Sequence, residues 1–129
     1  MHTQSQAEFV MRLALHAVFT LVFVMMAAIQ LNDPDPTYWI AVYALVAAIP
    51  AARIFGRRLP GISVLTAGMV LAGMLIAGPG FIDFLVSGDY ASINDKMSAE
   101  KPYVESAREF IGLLMAAVCL IAYAGPGRR

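Results

Sequence analysis

Six polar residues carry whatever chemistry this chain has to offer: Asn32, Asp33 and Asp35 in one short stretch, and Glu105, Arg108 and Glu109 in another. Glu105 and Glu109 are four apart, so they share one face of any helix that holds them, with Arg108 beside them. Two chemistries follow. Arg108 can bridge Asp33 or Asp35 in an ion-pair clasp, which needs nothing beyond the chain. Alternatively, Asp33, Asp35, Glu105 and Glu109 make an oxygen donor set of the type that suits calcium, magnesium or manganese. The clasp is favoured, because Arg108 already puts a positive charge where a metal would go. The spacing matches no defined metal loop, so no cofactor is expected, and a divalent cation stays the alternative.

The same carboxyls would serve as general acid and base only if one of them stayed protonated. No nucleophile with a paired base accompanies them; Ser106 lies among charged residues without a histidine near it in sequence. Catalysis therefore has no visible machinery. Asp33-Pro34-Asp35-Pro36 has a simpler use as punctuation: proline cannot continue a helix, and the residue before it is pushed to extended backbone. Asn32 then ends one helix, and Asp35 caps the next with Pro36 at its first position.

The surroundings of these residues are overwhelmingly apolar. Hydrophobic residues make up 60% of the chain and charged ones 14%, and the mean hydropathy is +0.70. A soluble globule of 129 residues would lack the polar surface to cover itself, so the chain belongs in a lipid bilayer. No basic stripe points to nucleic acid. The single cysteine, Cys119, rules out an intrachain disulfide.

A helix needs about 20 residues to cross a bilayer, and four candidate spans fill the sequence. They run over about 13–31, 37–55, 62–86 and 103–124. The first, Leu13 to Leu31, is longer than a signal core and lacks a convincing cleavage site, so it reads as a retained helix. In the second, Arg53 can snorkel to the headgroups. The third should break at Gly78-Pro79-Gly80, leaving Phe81 to Val86 as an interfacial extension. The fourth has only fifteen uncharged residues, Phe110 to Ala124, and should begin outside the bilayer near Pro102.

Arg12, Arg53, Arg57, Arg58, Arg128 and Arg129 would fall on one face of such a bundle, against Lys96, Lys101 and Arg108 on the other. The positive-inside rule then places both termini in the cytoplasm. The fold expected is all-α: one membrane domain, residues 1–129, forming an antiparallel four-helix bundle with an acidic outer face. Gly68, Ala72, Gly73 and Ala77 would let its helices approach closely. Seven arginines against two lysines fit a GC-rich bacterial gene, hence the inner membrane.

Three other features have ordinary readings. Trp39 and Tyr43 sit where an aromatic belt would anchor the outer interface, with Tyr38 and Tyr103 at that level. His16, about one turn inside the first span, would be the residue to ligate a pigment or haem, but one buried histidine gives a single axial ligand and a nearby carbonyl satisfies a neutral imidazole. The methionines suit adaptable packing.

Gln30-x-Asn32-Asp33-Pro34-Asp35 followed by Trp39 and Tyr43 resembles the signature of the transmembrane protein 220 family. The block Glu105-x-x-Arg108-Glu109-x-x-Gly112-Leu113 resembles the segment that opens that family's last helix. The likeness covers about Leu13 to Ala124. It implies a small four-span integral membrane protein, found in bacteria and animals, and brings no activity with it.

With no nucleotide loop, redox centre or nucleophile, the expected work is assembly: an accessory or scaffold subunit packing against other membrane protein subunits. The alternative is an autonomous interfacial protein that uses Asn32, Asp33, Asp35, Glu105, Arg108 and Glu109 to bind a cation or a polar lipid headgroup, possible turnover included.

Overall fold

The computed structural model describes residues 2–32, 36–94 and 102–124. Four α-helices and two 3-10 turns account for almost all of these described residues. They are α1 (His2–Ile29), a 3-10 turn (Gln30–Asn32), α2 (Thr37–Ile54), α3 (Pro60–Ser87), a 3-10 turn (Tyr90–Asn94) and α4 (Pro102–Ala122).

Three of the helices are long and apolar enough to cross a membrane: the segments Ser5–Asn32, Thr37–Ile54 and Pro60–Ser87. The fourth expected span, α4, forms as a helix of 21 residues but falls short of that standard. Glu105, Arg108 and Glu109 occupy its first half, and its charge-free part from Phe110 onward is only about 20 Å long at 1.5 Å per residue. The expected helix start at Pro102 is where α4 begins.

Helical structure extends further than the apolar runs alone would mark. α1 starts at His2, well ahead of Leu13, because polar residues such as Gln4, Ser5 and Glu8 mark where an apolar segment ends and do not interrupt helical hydrogen bonding. α3 runs without a break through Gly78-Pro79-Gly80 and keeps Pro79 in its interior. Proline removes one hydrogen bond and crowds the preceding turn, which long apolar helices tolerate once neighbouring elements compensate. At the start of α2, Pro36 takes the cap position itself, with no side chain capping the helix, and its carbonyl accepts the Ile40 N–H at 2.8 Å.

The chain divides into two compact units, Met1–Thr66 with Cys119–Arg129, and Ala67–Val118. In the first, α1 and α2 pack together as an antiparallel hairpin across a short connection. Its buried residues include Phe23, Val42, Tyr43, Val46 and Ile49, and the Phe23 and Tyr43 rings stack at 6.3 Å. In the second unit, Phe84, Val104 and Ala107 form a buried cluster, with Phe81, Ile93 and Tyr103 packed on it. Phe81 and Phe110 stack face to face at 4.5 Å between centroids. A β-carbon at Gly80 would collide with Ser106, so glycine there is what lets α3 and α4 come this close.

The outward surfaces explain the composition. Leu15, Val18, Leu21, Val24, Met25 and Ile29 of α1 are exposed, as are Val64, Leu65, Leu71, Leu75 and Ile76 of α3. Water would not tolerate such continuous apolar faces, whereas lipid tails solvate them. The four small residues of α3 divide by face: Gly73 and Ala77 are buried, Gly68 and Ala72 exposed.

Candidate functional site

Of the six residues picked out by type and spacing, four are described. Asn32 ends the 3-10 turn after α1 and is exposed. Glu105, Arg108 and Glu109 lie in the first two turns of α4, all partly buried. Asp33 and Asp35 lie outside the described residues. Among the described residues, no three His, Cys, Asp or Glu side chains gather closely enough to hold a metal ion.

Arg108 has a partner that its charge alone would not suggest. It donates from Nη1 to the carbonyl of Ile93 at 2.8 Å, fastening the Tyr90–Asn94 turn to α4. The turn is held from its other end by Asp89. The Ser92 hydroxyl donates to Asp89 Oδ1 at 2.8 Å, the Tyr103 hydroxyl to Oδ2 at 3.2 Å, and the Ser92 N–H to the Asp89 carbonyl at 3.1 Å. Tyr90 donates to the Leu85 carbonyl at 2.6 Å, and its ring meets Phe84 edge-on at 5.5 Å. Gly88, with φ of +73°, supplies the left-handed residue that ends α3 and turns the chain into this segment. The whole arrangement is a polar clamp that orders a short connection. Its carboxylate and guanidinium are both engaged within the chain.

A second polar cluster, in the other unit, involves residues that sequence reasoning handled separately. His16 is 9% exposed and Arg53 7%, so each needs an internal partner at this depth. Both find Tyr123, just past the end of α4. His16 Nδ1 and the Tyr123 hydroxyl are 2.6 Å apart, and Arg53 donates from Nη2 to the Tyr123 carbonyl at 3.0 Å. The Arg53 guanidinium also lies over the Tyr123 ring, 5.3 Å from its centroid, in reach of a cation–π attraction. Phe19 closes the ring's edge at 6.0 Å, and Thr20 bonds back to the His16 carbonyl at 2.7 Å.

These contacts follow from helix chemistry. The last four carbonyls of a helix have no intrahelical donors, and its C-terminal end carries partial negative charge. No basic residue stands in the last turn of α4, and Arg53 of α2 answers that end. Arg53 therefore points inward to a helix terminus; the expectation that it snorkels to the headgroups is corrected. His16 likewise bonds a hydroxyl contributed by a distant part of the chain, rather than the nearby carbonyl expected.

The aromatic residues near the start of α2 form a chain of rings. Tyr38 meets Trp39 edge-on at 4.8 Å, Trp39 and Tyr43 are 6.3 Å apart, and Tyr43 reaches Phe23. Tyr43 is 2% exposed, so its ring serves the core of the hairpin, while Trp39 is half-buried beside it.

The two clusters share a chemical character. Each polar group meets a partner from the chain, and none of the buried side-chain nitrogen or oxygen atoms described lacks a hydrogen bond. Such sites fix helix ends and connections. One comparison with known proteins points to membrane architecture. The family model for transmembrane family 220, helix, matches residues 22–125, which takes in both sequence blocks and most of the described helices. No curated protein matches the chain, and no solved structure does. With that match over most of its length, the chain belongs to transmembrane family 220, as an all-helical integral membrane protein.

Proposed function

We propose that this protein works by assembly, as a small accessory or scaffold subunit that packs against a larger membrane complex. The observation that carries this reading is the outward pair Gly68 and Ala72. Both are exposed and four apart on α3, and a β-carbon at Gly68 would meet nothing within 4 Å. Small residues at that spacing allow a second helix to approach backbone to backbone, gaining packing and weak Cα–H bonds that lipid tails cannot supply. The intrachain contacts of α3 use other small residues, Gly73 and Ala77, so the outward pair is spare. On this reading α4 completes a four-span bundle with cytoplasmic termini, in a bacterial inner membrane.

The test is native mass spectrometry of the chain extracted from its own membrane in mild detergent. A mass well above one chain, with other polypeptides released on activation, is the expected result. Gly68→Leu with Ala72→Leu should release the chain from its partners while its helix content stays unchanged, since both positions face outward. A lone wild-type chain, or partners retained by the double variant, would defeat the proposal. A lone chain carrying the added mass of a metal would favour cation binding instead.

A further inference from the structure

We infer that the loop between α2 and α3 is a binding site for the headgroup of an anionic phospholipid, with Phe55 as the acyl-level anchor and Arg57 and Arg58 as the phosphate ligands. This goes beyond assembly with proteins and does not depend on it.

The loop is short and tightly built. Gly56 adopts φ of +73°, the Gly56 N–H donates to the Arg53 carbonyl at 3.0 Å, and the Arg57 N–H donates to the Ala52 carbonyl at 2.9 Å. This pair of bonds is the Schellman ending of a helix. It throws the next residues clear of the helix end, and Arg57 and Arg58 are both exposed. α3 is already under way by Ser63, whose N–H bonds the Leu59 carbonyl at 2.9 Å, so the two guanidinium groups are carried on a brief, ordered segment between two spanning helices.

Depth and chemistry identify the occupant. α2 has 18 residues, about 27 Å of helix against a hydrocarbon core of roughly 30 Å, so its last residue falls at the boundary between tails and headgroups. Phe55 stands there 79% exposed. A large aromatic ring open to its surroundings at that level is covered by acyl chain, while arginines two and three residues later reach the phosphates above it. Guanidinium groups match phosphate oxygens through paired hydrogen bonds.

Charge in this unit is one-sided. Arg12, Arg53, Arg57 and Arg58 are its described basic residues and Glu8 is its sole described acid. His16 and Arg53 both meet Tyr123, and Arg12 lies one turn before His16 on α1, which places Arg12 and Arg53 toward the same end of the α1–α2 hairpin as the loop. With Arg53 turned inward to the Tyr123 carbonyl, the exposed Arg57 and Arg58 are the basic groups that the loop carries toward a headgroup. Free phosphate would satisfy the arginines but leave Phe55 uncovered, which is why a lipid is the better fit.

Delipidated full-length protein in a nonionic maltoside detergent should be titrated with phosphatidylglycerol, phosphatidylcholine and inorganic phosphate, reading bound lipid by native mass spectrometry and helix content by circular dichroism. Phosphatidylglycerol should be retained in preference to phosphatidylcholine, without displacement by inorganic phosphate. Arg57→Gln with Arg58→Gln should weaken phosphatidylglycerol binding roughly 25-fold, about fivefold per basic residue, at unchanged helix content. Arg57→Lys with Arg58→Lys should keep the preference for the anionic lipid. Equal retention of the two lipids, wild-type phosphatidylglycerol binding by the Gln variant, or displacement by inorganic phosphate would each overturn the assignment.

Discussion

Replacing Gly80 with alanine should destabilise this protein, although the same change at the exposed Gly68 of α3 should not. A β-carbon at Gly80 would overlap both the β-carbon and the hydroxyl of Ser106 on α4, with the Ser106 α-carbon 3.8 Å away. Rotating Ser106 moves the hydroxyl but leaves its β-carbon in place, so α4 has to shift by on the order of 1 Å to reach ordinary contact. Overpacking of this kind costs about 1–3 kcal/mol. Alanine returns up to about 1 kcal/mol through helix propensity, leaving a net loss of about 1–2 kcal/mol. Gly68 is the internal control: an added β-carbon there meets open space, so Gly68→Ala should gain about 0.5–1 kcal/mol from propensity alone. Unfolding of the purified chain in mixed micelles, followed by circular dichroism, measures both. The double variant Gly80→Ala with Ser106→Gly should recover most of the loss, a coupling of about 1–3 kcal/mol. Equal stabilities for the Gly80 and Gly68 variants would refute the close approach of α3 and α4.

Two further outcomes follow from the polar clusters. Tyr123→Phe removes the hydroxyl that meets His16 Nδ1 at 2.6 Å and should cost about 1–3 kcal/mol by leaving a buried nitrogen without that bond; in the same micelle assay, pairing it with His16→Phe should cost less than the two single changes summed, and strict additivity would count against the bond. Asp89→Asn leaves one good acceptor where Ser92 and Tyr103 now share a carboxylate; it should raise hydrogen exchange across residues 90–94 while global stability moves by about 1 kcal/mol or less, and exchange that stays at the wild-type rate would show that Asp89 does not hold the turn.

How far these features could be read in the sequence depends on what each feature is made of. The apolar stretches were legible because hydrophobicity accumulates over many residues: the second span was expected over 37–55 and α2 runs Thr37–Ile54, and α4 begins at the proline expected to open it. Apolarity does not mark helix ends: the run that opens at Leu13 lies inside α1, which begins at His2. One expectation failed because one signal stood for another. Gly78-Pro79-Gly80 carried the composition of a break, but Gly80 is small because Ser106 passes close by, a reason visible only when α3 and α4 lie side by side.

The polar sites show the deeper limit. Opposite charges invite pairing in a sequence, as Arg108 with Asp33 or Asp35, two acids that lie outside the described residues. The bond described goes to the carbonyl of Ile93. Arg53 repeats the pattern, donating to the carbonyl of Tyr123, 70 residues away. Every residue has a carbonyl, so composition cannot single one out as a partner. What makes these two special is their position at the end of a 3-10 turn and of a helix, where carbonyls lack donors. In an apolar surrounding such ends need donors as much as an arginine needs acceptors, and the two requirements are met together. A buried arginine in a membrane chain therefore has an unanswered helix or turn end as a partner to consider beside any acid, and which end it takes is decided only by how the helices pack.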